Sequence, residues 1–255
     1  MLLAIDVGNS NTVIGVFEDD CLTADWRVAT REDRTADELG ILIRNLLSAK
    51  GLDPSKIDSA VISCVVPPLT PGLDQMTRNY FAVEPMFVEP GIRTGIAVVS
   101  ENPQEVGADR IVNAVAAHAR CRGPVIVIDL GTATTLDAIS GQGEYLGGAI
   151  APGIDIAAEA LFLRTSKLPR VEVRRPPRVI GRNTVQCVQS GLYHGYVGLI
   201  SRLVEMMKKE LEGEVRVLAT GGNLQLIREE LADVVHEVVP HLTLEGLRLI
   251  HERNR

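Results

Sequence analysis

Residues 1–20 read MLLAIDVGNSNTVIGVFEDD, and residues 123–140 read GPVIVIDLGTATTLDAIS. In each, an apolar run ends on a carboxylate, passes through a small polar turn and resumes as an apolar run. Apolar and β-branched residues on both sides of a short turn read as a β-hairpin. Taken singly, Asp6 reads as an Asx-type cap of that turn. The second copy changes the reading. With Asp129 set beneath Asp6, Gly131 falls under Gly8 and Thr135 under Thr12. A repeat of this length points to a duplicated domain and not to a solenoid.

Duplication gives the acids a purpose. Glycine lets a backbone approach a phosphate closely, and small hydroxyl or amide side chains add donors to the same oxygens. A carboxylate repels phosphate unless a bound cation stands between them. Paired acids beside phosphate-binding turns therefore point to metal-assisted nucleotide chemistry.

The totals agree with an ordinary globular protein. The 255 residues are enough for one large domain or two smaller ones with a real core. A net charge of −7 argues against general affinity for nucleic acid or an anionic membrane. MLLAID has no basic n-region, and Asp6 breaks the apolar run before a signal peptide or spanning helix could form, so a cytoplasmic location is expected. Cys21, Cys64, Cys121 and Cys187 lie far apart with no C-x-x-C pair, and the five histidines show no zinc-ligand spacing.

Other segments read as scaffold. In TADELGILIRNLLSAKGL, Thr35 and Glu38 make a capping-box pattern, and Leu39, Leu42, Ile43, Leu46 and Leu47 form an apolar stripe closed by Gly51. SAVISCVVP is a buried strand ended by Pro67 and Pro68. In ENPQEVGADRIVNAVAAHARC, Ile111, Val115 and His118 recur at helical spacing, so a helix starts near Asp109 and Arg110. Locally, Asp109 reads as a helix cap, since an acid is favoured at a helix N-terminus. Lys167, Arg170, Arg174, Arg175, Arg178 and Arg182 crowd a stretch whose single acid is Glu172. Without aromatic residues to stack bases, that stretch reads as a solvated loop adding positive potential.

Several of these stretches together resemble known proteins. The two turns are similar to the phosphate loops of the acetate kinase, sugar kinase, Hsp70 and actin superfamily. VRVLATGGNLQLI, with Thr220, Gly221 and Gly222, resembles that superfamily's adenosine-side turn. DVGNSNT, NPQEVGADR, IDLGTATT, GGAIAPG and GRNT, in this order and spacing, resemble the type III pantothenate kinases along essentially the whole chain. The resemblance implies an α/β fold of two duplicated ribonuclease H-like (actin-like ATPase) domains. Each is a mixed β-sheet with flanking helices, with an ATP cleft between them and a boundary at 1–118 and 119–255. It implies phosphorylation of the pantothenate hydroxyl by ATP, the first step toward coenzyme A.

Roles follow from the same resemblance. Asp109 is the general base, and Gly107, Ala108, Asp109 and Arg110 surround pantothenate, whose carboxylate suits the planar donors of arginine. Asp6 holds Mg²⁺ through ATP, and Val7, Gly8, Asn9, Ser10, Asn11, Thr12 and Val13 take the phosphates, with Thr132 as a further phosphate contact. Asp129 holds a monovalent cation, K⁺ or NH₄⁺. Thr184 reaches pantothenate from a neighbouring subunit, which implies a homodimer with shared sites, with no nucleic acid or membrane partner. One departure stands out: Ser100 lies where the family usually has an aromatic residue, so altered substrate affinity is expected. Two other readings are a regulatory relative that has lost catalysis and a kinase of another small hydroxyl substrate.

Overall fold

Leu2–Val7 and Asn11–Glu18 form the expected hairpin, β1 and β2, in the computed structural model, which describes every residue from Met1 to Arg255. Next come β3 (Cys21–Ala29), α1 (Ala36–Ala49), β4 (Ser59–Cys64), α2 (Thr70–Phe81), β5 (Pro85–Phe87), β6 (Ala97–Val98) and α3 (Ala108–Arg120). The second copy begins with β7 (Val125–Leu130), β8 (Ala133–Ile139) and β9 (Glu144–Pro152), followed by α4 (Ile154–Arg164) and α5 (Thr184–Glu210). It ends with β10 (Arg216–Thr220), α6 (Leu224–Ile227) and β11 (Glu237–Val238), before α7 (Leu242–Arg253) closes the chain.

The two sheets have the same topology. The first has strand order β3-β2-β1-β4-β5; the second runs β9-β8-β7-β10-β11, with β6 added outside β9. Within each, the hairpin strands are antiparallel, and the crossover to β4 or β10 makes a parallel pair. Even the bulge is repeated, between Val16 and Phe17 in one sheet and between Ala138 and Ile139 in the other. An irregularity kept at one place in both copies is a feature of the fold and not a packing accident.

The register corrects one detail of the sequence repeat. Val7 pairs with Thr12, and its counterpart Leu130 pairs with Thr134, not Thr135. The second turn is one residue shorter, and a slip of one residue sends a side chain to the opposite face. Thr12 and Thr134 are accordingly both buried.

Alternation along β1 divides the first core between two faces. Leu3, Ile5 and Val7 pack with Leu39, Ile43 and Leu47 of α1 and with Leu73 and Met76 of α2. Leu2, Ala4 and Val61 pack with Val112 and Val115 of α3 and with Leu244, Leu247 and Ile250 of α7. The capping box of α1 is present: Thr35 and Glu38 exchange hydrogen bonds, and Gly51 follows in a left-handed conformation. Leu39, Ile43 and Leu47 are buried, with Leu42 and Leu46 partly covered beside them. In the second sheet, Ile126, Ile128 and Leu130 pack against Tyr193, Tyr196 and Ile200 of α5.

The chain falls into two compact units, Met1–Ile96 with Glu101–Ala116 and His241–Arg255, and Ala97–Ser100 with Ala117–Pro240. This division differs from a single cut at 118/119. The apolar stripe of α7 is buried on the face of the first sheet, and β6 hydrogen-bonds to β9 of the second. No helix is long and apolar enough to cross a membrane.

Candidate active site

The first turn is held from below by a residue that its own sequence does not contain. Thr30, just past β3, donates its hydroxyl to the Gly8 carbonyl at 2.7 Å and shares a 2.9 Å hydrogen bond with Thr12. Its backbone N–H donates to the Ser10 carbonyl, and the Gly8 N–H closes the turn onto the Asn11 carbonyl, both at 3.0 Å. Thr12 and Val7 are buried, whereas Asn9, Ser10 and Asn11 are exposed at the tip. The tip thus presents amide and hydroxyl groups on a rigid base. Asp6, Gly8 and Val13 are half-buried just beneath it.

The GADR segment belongs to the same unit and the same sheet face. Ala108 packs on the core formed by Leu2, Ala4, Val61, Val112 and Val115, and Gly107 lies against Val65, just beyond the end of β4. Asp6 follows Leu2 and Ala4 at two-residue spacing and so points to this face. The structure therefore brings Asp6 and the first turn of α3 to one end of one sheet.

Asp109 sits in that first turn, its Oδ1 accepting the Arg110 backbone N–H at 2.9 Å. Burial pushes its carboxyl above the ordinary carboxylate range, while the Arg110 N–H and the Arg110 charge pull in the opposite direction. A raised value makes the carboxylate a better proton acceptor, which a helix cap does not need. Gly107 is required here by space. A Cβ at that position would stand 2.6 Å from Asp109 Oδ1, although the Gly107 backbone is not left-handed.

In the second unit, two glycine-bearing segments press on the IDLGT turn. A Cβ on Gly153 would meet the Thr132 carbonyl at 2.2 Å, and one on Gly221 would meet the Leu130 backbone N at 2.4 Å. Gly221 also has φ +101°, open to few other residues. The Gly153 N–H donates to the Thr132 carbonyl and the Asn223 N–H to the Leu130 carbonyl, while the Asn223 side chain donates to Asp155 at 2.8 Å. GGAIAPG and ATGGN thus converge on the turn that carries Asp129 and Thr132.

Thr184 belongs to a different feature. It opens α5 behind the Asn183 cap and lines an open groove of about 690 Å³ with Arg174, Arg175 and Gln189. The basic stretch lacks regular secondary structure between α4 and α5, and Arg175 is paired with Glu229 and Glu230. Ser100 follows β6, and its hydroxyl is enclosed without a hydrogen-bond partner in the protein.

The oxygen donors at Asp6 suit Mg²⁺. No group of three or more His, Cys, Asp or Glu side chains could hold an ion by itself. Mg²⁺ is ordinarily held by one or two carboxylates, substrate phosphates and several waters, which is what one acid beside a phosphate turn can accommodate. Asp129, with a hydroxyl-rich turn, offers a second set of oxygen donors.

A family model for type III pantothenate kinase matches residues 2–206. The type III pantothenate kinase of Myxococcus xanthus is 56% identical over 254 residues, which is all of this chain and 99% of that protein. That of Geobacter sulfurreducens is 52% identical over the full length of both. Among solved structures, a candidate Baf-family transcriptional activator from Campylobacter jejuni superposes with TM-score 0.61 at 19% identity, covering 99% and 98% of the two chains. A polyphosphate/ATP-glucomannokinase from Arthrobacter gives TM-score 0.50 at 13% identity, covering 99% and 98%. At these identities the two structures establish the fold alone.

The packing of Asp109 over Gly107 can be tested directly. In Gly107→Ala the new methyl expels the carboxylate from its position, and a displacement of about 1 Å lowers turnover by about 10²-fold. Melting temperature should stay close to that of the unaltered protein. Turnover unchanged in a folded Gly107→Ala protein would show that the observed carboxylate position is not the working one.

Proposed function

Because the chain belongs to the type III pantothenate kinase family, we propose that it transfers the γ-phosphoryl group of ATP to the hydroxyl of pantothenate, with Asp109 as the general base. The observation that carries this reading is the partly buried Asp109 carboxyl, its pKa raised by desolvation, at the same sheet end as the Asp6 turn. The pantothenate oxygen attacks the γ-phosphorus while its proton passes to the Asp109 carboxylate. The bond from phosphorus to the bridging oxygen breaks, and ADP leaves with the electron pair. Asp109 must be ionised to act, and its position in the first turn of α3 keeps it beside the Arg110 donors. Arg110 takes the pantothenate carboxylate, with Gly107 and Ala108 forming the wall.

Asp6 with Val7–Val13, and Thr132 in the second turn, are assigned to the phosphates. Asp6 would hold Mg²⁺ through ATP and Asp129 would hold K⁺ or NH₄⁺, and each cation would supply positive charge against the phosphate oxygens at its turn. The exposed tip residues Asn9, Ser10 and Asn11 supply donors, and Thr30 keeps their backbone from rearranging.

A regulatory relative without catalysis has less support. Burial of Asp109 destabilises its charged form, which a purely structural residue gains nothing by keeping.

We also assign the working form as a homodimer in which Thr184 serves the partner's site. Ile150, Leu163 and Ile180 of the second unit are 65%, 65% and 82% exposed, apolar side chains that a partner subunit would cover. Mixing Asp109→Asn and Thr184→Ala proteins, each impaired alone, should restore activity, because mixed dimers hold one site free of both defects. No recovery after demonstrated subunit exchange would rule out the shared site.

Asp109→Asn tests the base itself. The substitution removes the proton acceptor, so turnover should fall about 10²–10⁴-fold with nucleotide affinity little changed. The raised pKa also sets two signs. Activity of the unaltered protein should fall on acidification at a pH above the ~3.9 of a free aspartate. The stability Asp109 gives when protonated is lost as pH rises through its folded-state pKa. The Asn variant should therefore be at least as stable at neutral pH. A folded Asp109→Asn protein with near-normal turnover would overturn the assignment.

A further inference from the structure

Each strand-end acid has a hydroxyl-bearing residue beside it on the parallel neighbour strand. Asp6 is in register with Ser63, and Asp129 with Thr220. Partners in parallel register share a sheet face, so each hydroxyl residue stands on the side of its acid. Both are buried, Ser63 at 0% and Thr220 at 3% exposure. The duplication has thus kept an acid–hydroxyl pair at the same point of both sheets.

Ser63 is the more informative member. Its Oγ is shut off from solvent and has no hydrogen-bond partner in the protein. A buried hydroxyl without a partner destabilises a fold, and alanine at the same place would avoid that loss. Its place explains why a hydroxyl is there. Val61, two residues earlier on the same face, is packed among Val112, Val115, Leu244 and Leu247. Ser63 lies where that apolar packing gives way to Asp6 and to the start of α3, with Gly107 against Val65 two residues further on.

We propose that Ser63 is a positioning residue for the Asp6 site, a role that rests on the kinase reading above. Its hydroxyl finds its hydrogen bond only when a cation and nucleotide are bound, taking a water of the cation's hydration shell. A hydroxyl can both donate and accept, and Mg²⁺ characteristically keeps several of its waters. The free protein thus carries an unsatisfied group that the ligand satisfies.

Calorimetric titration of the full-length protein with a non-hydrolysable ATP analogue, with and without Mg²⁺, reads this role without any catalysis. In Mg²⁺, Ser63→Ala should bind the analogue about tenfold more weakly, the scale of one hydrogen bond. Without Mg²⁺ its affinity should match that of the unaltered protein, and its unliganded melting temperature should be equal or higher. Ser63→Cys, close in size but a poor hydrogen-bonding partner, should behave like Ser63→Ala, which separates the hydroxyl from its volume. Equal affinity in Mg²⁺, or a loss of the same size with and without Mg²⁺, overturns the proposal. So does a lower melting temperature for unliganded Ser63→Ala, since the hydroxyl would then have a partner in the free protein. Failure of the unaltered protein to bind the analogue in Mg²⁺ removes the kinase reading, and the Ser63 role with it.

Discussion

Parallel hydrogen bonding between β1 and β4 fixes where the chemistry of the first unit stands. It sets Asp6 opposite Ser63 at the end where both strands stop, and it carries Val65 to the place where Gly107 lands. The α3 helix buries Val112 and Val115 on the same face, with Asp109 in the turn at the Asp6 end. Without this register the acid of the first turn and the acid of GADR have no reason to meet on one surface. The second unit repeats the register through β7 and β10, with Asp129 opposite Thr220.

Stability and function are opposed at these positions. The interior of each sheet is apolar and well packed, and a half-buried acid ends β1 and β7, with the partnerless Ser63 hydroxyl beside the first and the desolvated Asp109 carboxyl in the first turn of α3. The desolvated Asp109 carboxyl and the partnerless Ser63 hydroxyl are unfavourable for folding, a cost that a bound ligand engaging them would offset. The apolar faces and the α1 capping box compensate elsewhere. Gly107, Gly153 and Gly221 serve the same end by leaving room for a carboxylate or a turn backbone that any side chain would displace.

Much of this was legible in one dimension. The hairpins, the capping box at Thr35 and Glu38, and the helix beginning at GADR follow from patterns a few residues long. The duplicated topology followed from the repeated turn. What stayed hidden depends on partners far apart in the chain. Thr30 and Ser63 carry no local motif, because their meaning comes from Gly8 and Asp6, each distant in the chain. Thr135 aligned with Thr12 by letter count, but turn length decides which residue faces inward, and Thr134 took the place. The return of α7 to the first sheet was equally invisible, since its apolar spacing does not say which sheet it covers.

The most direct measurement is ADP release from ATP and Mg²⁺ by the purified protein, with and without pantothenate, in K⁺ and in Na⁺. ADP should appear only when pantothenate is present, in equal amount to a phosphorylated pantothenate, and faster in K⁺ than in Na⁺. Release that ignores pantothenate in both salts, or no release at all from folded protein, would contradict the account.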